Sequence, residues 1–120
     1  DGFEAEKILV MIGTNNLHLN TNDEILEGLQ LLVRAIKSRQ PRSGIVLFGI
    51  LPRRDYEERI ADLNIEIARI AANLKVSYGD LGASFLNGEG KLLESLFSDG
   101  LHPNESGYLK LRDGLKPFIK

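Results

Sequence analysis

The sequence contains no cysteine, and neither sign of charge dominates it. Without cysteine, a disulfide framework, a thiolate metal site and cysteine-based catalysis are all excluded. Lys and Arg number 15 and Asp and Glu 17, so the formal charge is -2. No basic stretch of the kind that binds nucleic acid is present, and we expect no nucleic-acid partner.

Long hydrophobic runs are also lacking. The longest, 8–12 and 44–51, are far shorter than the roughly 20 residues that a helix needs to cross a bilayer, so we expect no membrane span. The chain opens on Asp1-Gly2-Phe3 rather than on a signal peptide. Because this opening resembles the interior of a longer chain, we expect further residues upstream. The compartment stays open between cytoplasmic and secreted.

The sequence does contain three short apolar runs, at 7–12, 45–51 and 75–78. The first two are nearly continuous in aliphatic residues, which is typical of strands buried on both faces of a parallel sheet. The third is weaker and predicts an edge strand. Three strands make a thin sheet with two open edges, so we expect one or two further strands to belong to it.

Helical patterns follow each run. Thr21 and Glu24 form a capping-box pattern before the first helix, and Pro41 ends that helix. The third pattern begins near Asn104, and we expect Pro117 to kink or end it. The positions expected to be buried are Ile25, Leu29, Leu32, Val33 and Ile36 in the first helix, Ile60, Leu63, Ile67, Ile70, Ala71 and Leu74 in the second, and Tyr108, Leu111, Leu115 and Phe118 in the third. This alternation predicts an α/β fold, with helices in two layers around a parallel, flavodoxin-like sheet.

Polar segments come directly after the predicted strands, where open parallel sheets bind their ligands. Near the end of the chain, Asp99 precedes His102 by three residues, with Gly100 between them and Pro103 after them. A carboxylate at this spacing can bond one imidazole nitrogen and leave the other free as a general base. Taken alone, the pattern is short and common, and a surface loop explains it better.

The segment Gly13-Thr14-Asn15-Asn16 follows the first strand. Its glycine and asparagines permit a sharp turn, and an Asn side-chain amide can donate to a developing oxyanion. Taken alone, a simple turn that caps the next segment explains the pattern better.

Together, the two segments resemble the third and fifth blocks of SGNH/GDSL hydrolases. Their residues are most similar to those of the group that includes platelet-activating-factor acetylhydrolase catalytic subunits and bacterial esterases. The resemblance runs from about Lys7 to Phe118 and implies an SGNH hydrolase fold, of which residues 1–120 would be the C-terminal portion of one domain.

The resemblance also implies roles for individual residues. Asn15 would be an oxyanion-hole donor, His102 the general base and Asp99 its orienting partner. Gly13 and Asn16 would line the substrate site. Family members further carry a Gly-Asp-Ser block that supplies the nucleophile, and this sequence has none before Gly13.

The expected activity is therefore a serine esterase acting on a small-molecule acyl ester of a carbohydrate or lipid. Its Ser-His-Asp triad would take the serine from a missing N-terminal segment with the Gly-Asp-Ser block. We expect no cofactor and no metal, and a homodimer stays open. Arg53 and Arg54, which follow the second strand, could touch a polar or anionic substrate, although a solvated loop explains them better. The alternative is a non-catalytic binding module on an SGNH or flavodoxin-like scaffold.

Overall fold

The computed structural model of the protein describes residues 7–12 and 17–119. Within these ranges the strands are β1 (Lys7–Val10), β2 (Gly44–Phe48) and β3 (Ser77–Gly79). The helices are α1 (Asn22–Arg39), α2 (Glu57–Leu74) and α3 (Glu105–Ile119), and two short 3₁₀ turns lie at Ala83–Phe85 and Glu94–Leu96. The predicted order of strands and helices is confirmed, although each strand is shorter than the apolar run that predicted it.

The three strands form one parallel sheet in the order β1-β2-β3. Ile8 pairs with Ile45 across the first ladder, and Val46 with Ser77 across the second. β3 lies at an edge, as its weak apolar run predicts. Since all three strands run the same way, the loops that follow Val10, Phe48 and Gly79 leave the sheet on one side. These are the loops that carry the predicted site.

Both faces of the sheet are covered by helices. On β2, Ile45 and Leu47 point into the core formed with α1 and α2. The alternate residues Val46 and Phe48 point to the opposite face, where α3 packs. The Phe48 and Phe118 rings meet edge to face, with centroids 5.0 Å apart. The structure is therefore a three-layer α/β/α arrangement, and the burial of β2 on both faces explains its continuous apolar run.

The capping box of α1 is present in full. Glu24 N donates to Thr21 Oγ1 over 3.2 Å, and Thr21 N donates to Glu24 Oε1 over 2.8 Å. Each side chain therefore satisfies a backbone N–H that the first turn of a helix leaves without a partner.

Two of the burial expectations for the helices are wrong. Leu32 is 47% exposed, because the face that α1 turns to the core is completed by Ile25, Leu29 and Val33. Tyr108 is 56% exposed, because it lies in the first turns of α3, before the stretch that packs against the sheet. Of the two outcomes expected at Pro117, a kink or an end, the end does not occur: α3 continues to Ile119, and Pro117 lies in its last turn. None of the helices in the described ranges is long and apolar enough to cross a membrane.

Candidate active site

Residues 98–102 form a tight turn before α3. Asp99 Oδ1 accepts hydrogen bonds from the backbone N–H groups of Leu101 (3.0 Å) and His102 (2.7 Å). Gly100 has a φ of 78°, a left-handed conformation that glycine adopts without strain. The Ser98 N–H and hydroxyl both donate to the His102 carbonyl, and these bonds join the first residue of the turn to the last. Asp99 thus folds the chain around its own carboxylate, as short polar side chains do in turns.

The second oxygen of the same carboxylate meets the imidazole ring. Asp99 Oδ2 lies 2.7 Å from His102 Nδ1, so the spacing of three residues does bring the two side chains together. The pair is open to solvent, with side-chain exposures of 60% for His102 and 52% for Asp99. Among the described residues, no group hydrogen-bonds to His102 Nε2. That nitrogen is therefore free to exchange a proton with a bound molecule.

Hydrogen bonds determine the charge of Asp99. The His102 backbone N–H, then the His102 ring, then the Leu101 N–H hold the pKa of Asp99 well below its usual range. The carboxylate is consequently ionised wherever a neutral imidazole could act as a base. An ionised partner at Nδ1 requires that nitrogen to carry a hydrogen, which leaves the lone pair of a neutral ring on Nε2.

The loop after β2 packs beside this turn. Arg54 N donates to the Gly100 carbonyl over 2.9 Å. Arg53 places its guanidinium carbon 4.7 Å from the centre of the Tyr56 ring, a cation–π contact. A shallow cavity of about 260 Å³ lies between the loop and the turn, and Arg53, Tyr56, Asp99 and Leu101 line it. Arg53 therefore borders the same cavity as Asp99.

The predicted residues Gly13, Asn15 and Asn16 lie outside the described residues. The strand before them, β1, pairs with β2 and ends at Val10. Because the two strands are parallel, the chain leaves β1 at the same edge of the sheet as the loop that follows β2. His18, in the following turn, is exposed.

A larger cavity of about 400 Å³ lies elsewhere, between α2 and the segment after β3. Its walls are mostly apolar, and they include Tyr78, whose pKa is raised by burial and then by the nearby Asp80. Neither Asp99 nor His102 lines this larger cavity. Asp99, which pairs with His102, lines the smaller one.

Sequence reasoning missed the role of Arg54. Arg54 lines the same cavity as Arg53, and its guanidinium also pairs with Glu94, a contact that the sequence did not predict. The two are 40 residues apart, and no periodicity or motif connects them.

Comparison with known proteins identifies the fold and the family of the chain. Residues 1–110 match the GDSL-like Lipase/Acylhydrolase family. The alpha2 subunit of platelet-activating factor acetylhydrolase IB from Rattus norvegicus is 29% identical over 99% of this chain, and the chain spans 54% of that protein's length. A solved structure from Streptococcus pneumoniae has a TM-score of 0.87 and 25% identity, covering 96% of this chain and 60% of that one. A carbohydrate esterase family 3 structure from Talaromyces cellulolyticus has a TM-score of 0.77 and 20% identity, covering 95% of this chain and 56% of that one. With nearly its whole length matched, the chain belongs to the GDSL-like lipase/acylhydrolase family and has the SGNH hydrolase fold.

Proposed function

We propose that the protein is a serine acyl-ester hydrolase in which His102 is the general base and Asp99 orients it. Asn15 is the proposed oxyanion-hole donor, and the nucleophilic serine comes from a Gly-Asp-Ser segment outside the sequence described. The observation that carries the proposal is the 2.7 Å contact between Asp99 Oδ2 and His102 Nδ1, with Nε2 left open. Membership in a family of lipases and acylhydrolases supports the same reaction class.

In the proposed mechanism, His102 Nε2 takes the serine proton as the serine oxygen attacks the ester carbonyl. The oxyanion that forms is stabilised by the Asn15 side-chain amide. When the bond to the leaving group breaks, His102 returns the proton to the departing alkoxide. Water then attacks the acyl-serine, with His102 again accepting and returning a proton. Asp99 stays ionised throughout and stabilises the imidazolium form of His102.

The proposed substrate is a short acyl ester, such as an acetyl ester, of a carbohydrate or lipid. Two relatives support this choice by their names, an acetylhydrolase of platelet-activating factor and a carbohydrate esterase. The open position of the Asp99–His102 pair suits an ester group carried on a larger molecule. Arg53, with Gly13 and Asn16, is proposed to line the substrate site, because Arg53 borders the cavity that Asp99 also lines.

The test is turnover of p-nitrophenyl acetate by the full-length protein and its His102→Ala variant. Loss of the base should lower kcat by about 10²- to 10⁴-fold. The matched control is His18→Ala, which removes the other histidine of the sequence from an exposed turn and should leave kcat near the wild-type value. Equal rates for wild type and His102→Ala would contradict the role given to His102. A wild-type protein with no hydrolysis would favour the non-catalytic binding module.

A further inference from the structure

We propose that Arg54 is a positioning residue that fixes the turn carrying Asp99 and His102 against the loop after β2. The inference rests on the proposed function, because the turn matters for catalysis only if His102 is the base. It adds a distinct role: Asp99 sets the orientation of the imidazole ring within the turn, and Arg54 sets where the whole turn lies relative to the sheet.

The first contact is made by the backbone. Arg54 N donates to the Gly100 carbonyl over 2.9 Å, at the tip of the turn. Among the described residues, this is the backbone hydrogen bond that joins the 52–56 loop to residues 98–102. The loop follows β2, the central strand, so the bond ties the turn to the most buried part of the sheet.

The side chain of Arg54 makes two more contacts. Its Nε donates to Glu94 Oε2 over 2.9 Å, and its Nη2 donates to Glu94 Oε1 over 2.5 Å, a bidentate pair. The guanidinium also lies directly against Gly100, since a Cβ at that position would be 2.6 Å from Arg54 Cζ. Gly100 thus meets two demands, a positive φ and space for the arginine.

These contacts reach the start and the tip of one segment, residues 94–104, which doubles back on itself. Glu94 is in the 3₁₀ turn at its start, and Gly100 is at its tip. The returning part is joined to the outgoing part by the hydrogen bonds from Ser98 N to the His102 carbonyl and from Asn104 N to the Leu96 carbonyl. Because Arg54 contacts the start and the tip together, the segment cannot tilt without breaking one of the contacts.

The Arg54–Glu94 pair is half exposed, with side-chain exposures of 50% and 53%. Exposed pairs contribute little to global stability, so its removal should leave the protein folded. A shift of the turn is a different matter, because a displacement of about 1 Å can cost up to about 10²-fold in rate. A variant that lacks the Arg54 side chain should therefore shift the 98–102 turn and lower the rate while leaving the stability of the protein nearly unchanged.

The experiment compares Arg54→Met, Glu94→Gln and Arg54→Lys with the wild type, in the full-length protein with p-nitrophenyl acetate. The control is Arg69→Met, which removes another exposed Arg–Glu pair on α2. We expect kcat to fall about tenfold in Arg54→Met with KM unchanged, less in Glu94→Gln and Arg54→Lys, and not in Arg69→Met. A raised KM with unchanged kcat would overturn the proposal, because it would make Arg54 a substrate contact.

Amide hydrogen exchange at Leu101 and His102 supplies a readout that is independent of turnover. Both N–H groups bond to Asp99 Oδ1, and they should exchange faster in Arg54→Met and Glu94→Gln but not in Arg69→Met. Unchanged exchange in the two variants would overturn the positioning role even in an active esterase. Faster exchange in a protein that hydrolyses no ester would support the positioning role and contradict the proposed function, so the two failures are distinct.

Discussion

Asp99 uses its two carboxylate oxygens for different tasks. Oδ1 shapes the turn by accepting two backbone N–H groups, and Oδ2 meets His102 Nδ1. A substitution that preserves the first task and removes the second would isolate the electrostatic part of the proposed mechanism. Asparagine does so, since its side-chain oxygen can occupy the Oδ1 position while its amide NH₂ faces the imidazole.

We therefore expect Asp99→Asn to keep the turn and lose catalysis. The amide cannot accept a hydrogen from Nδ1, so the ring should adopt the tautomer with its hydrogen on Nε2, which cannot act as a base. A fall in kcat of about 10³- to 10⁴-fold is expected in the full-length protein. Circular dichroism and amide exchange at Leu101 should match the wild type. An active Asp99→Asn variant would contradict the orienting role.

For individual residues, the sequence predicted the contact within one turn, between Asp99 and His102, but not the contact between two loops, from Arg54 to Glu94. Three residues separate Asp99 from His102, so their meeting needs only a local chain reversal, which Gly100 permits. Arg54 and Glu94 meet because the loop after β2 packs beside the segment before α3, which is a property of the tertiary fold. The proposed roles of Asn15, Gly13 and Asn16 rest on the family resemblance and stay predictions.

Among the elements, α3 is packed unusually close to the segment that precedes it. Gly107 is buried in the first turn of α3, and a Cβ there would lie 2.2 Å from the Leu96 carbonyl oxygen. The Gly107 backbone N–H also donates a hydrogen bond to Asn104 Oδ1 over 3.0 Å. The start of α3 and the Glu94–Leu96 turn therefore approach each other through a residue without a side chain.

This packing predicts opposite effects for two glycine-to-alanine changes in helices. Gly107→Ala should lower the free energy of unfolding by about 1–3 kcal/mol, because backbone atoms must move apart. Gly28→Ala, in α1, meets nothing within 4 Å and should raise it by about 0.5–1 kcal/mol through reduced unfolded-state entropy. Urea denaturation of both variants measures the difference. Equal effects of the two changes would argue against the close approach of α3.

The order and type of the elements were predictable because apolar runs and helical stripes report burial directly. Sequence periodicity could not place Leu32 or Tyr108, because it shows which side of a helix is apolar but not how far the sheet beneath it extends. The 3₁₀ turns at Ala83–Phe85 and Glu94–Leu96 carry no periodic pattern, and they went unpredicted for that reason.

For the molecule as a whole, several carboxylates have pKa values below their ordinary ones. Hydrogen bonds with Thr21 lower the pKa of Glu24, and the Arg54 guanidinium lowers that of Glu94. For Glu57, burial acts upward but is outweighed by hydrogen bonds, the Leu92 N–H first among them. Asp99 is shifted in the same direction. Each group therefore binds protons less readily in the folded state than in the unfolded state.

These lowered pKa values make the stability of the fold depend on pH. A carboxyl with a lowered folded pKa stabilises the fold above its unfolded pKa, 4.5 for Glu and 3.8 for Asp, and this stabilisation is lost as the pH falls through the folded value. We expect the urea midpoint to change little between about pH 7 and 5 and to fall as the pH is lowered from about 5 to about 3. Asp99→Asn should show a smaller drop, since it lacks one of the titrating groups. A midpoint that is constant or rises on acidification would contradict these shifts.

The turn of residues 98–102 also has a consequence for how the proposed active centre would assemble during folding. The proposed base and its orienting carboxylate are three residues apart, so the chain entropy lost in bringing them together is small, since this cost grows with the length of the loop that is closed. Many hydrolytic centres must instead collect three groups from distant parts of the chain. If the proposed serine comes from elsewhere, only one long-range encounter is required, between that serine and a dyad that local structure has already formed.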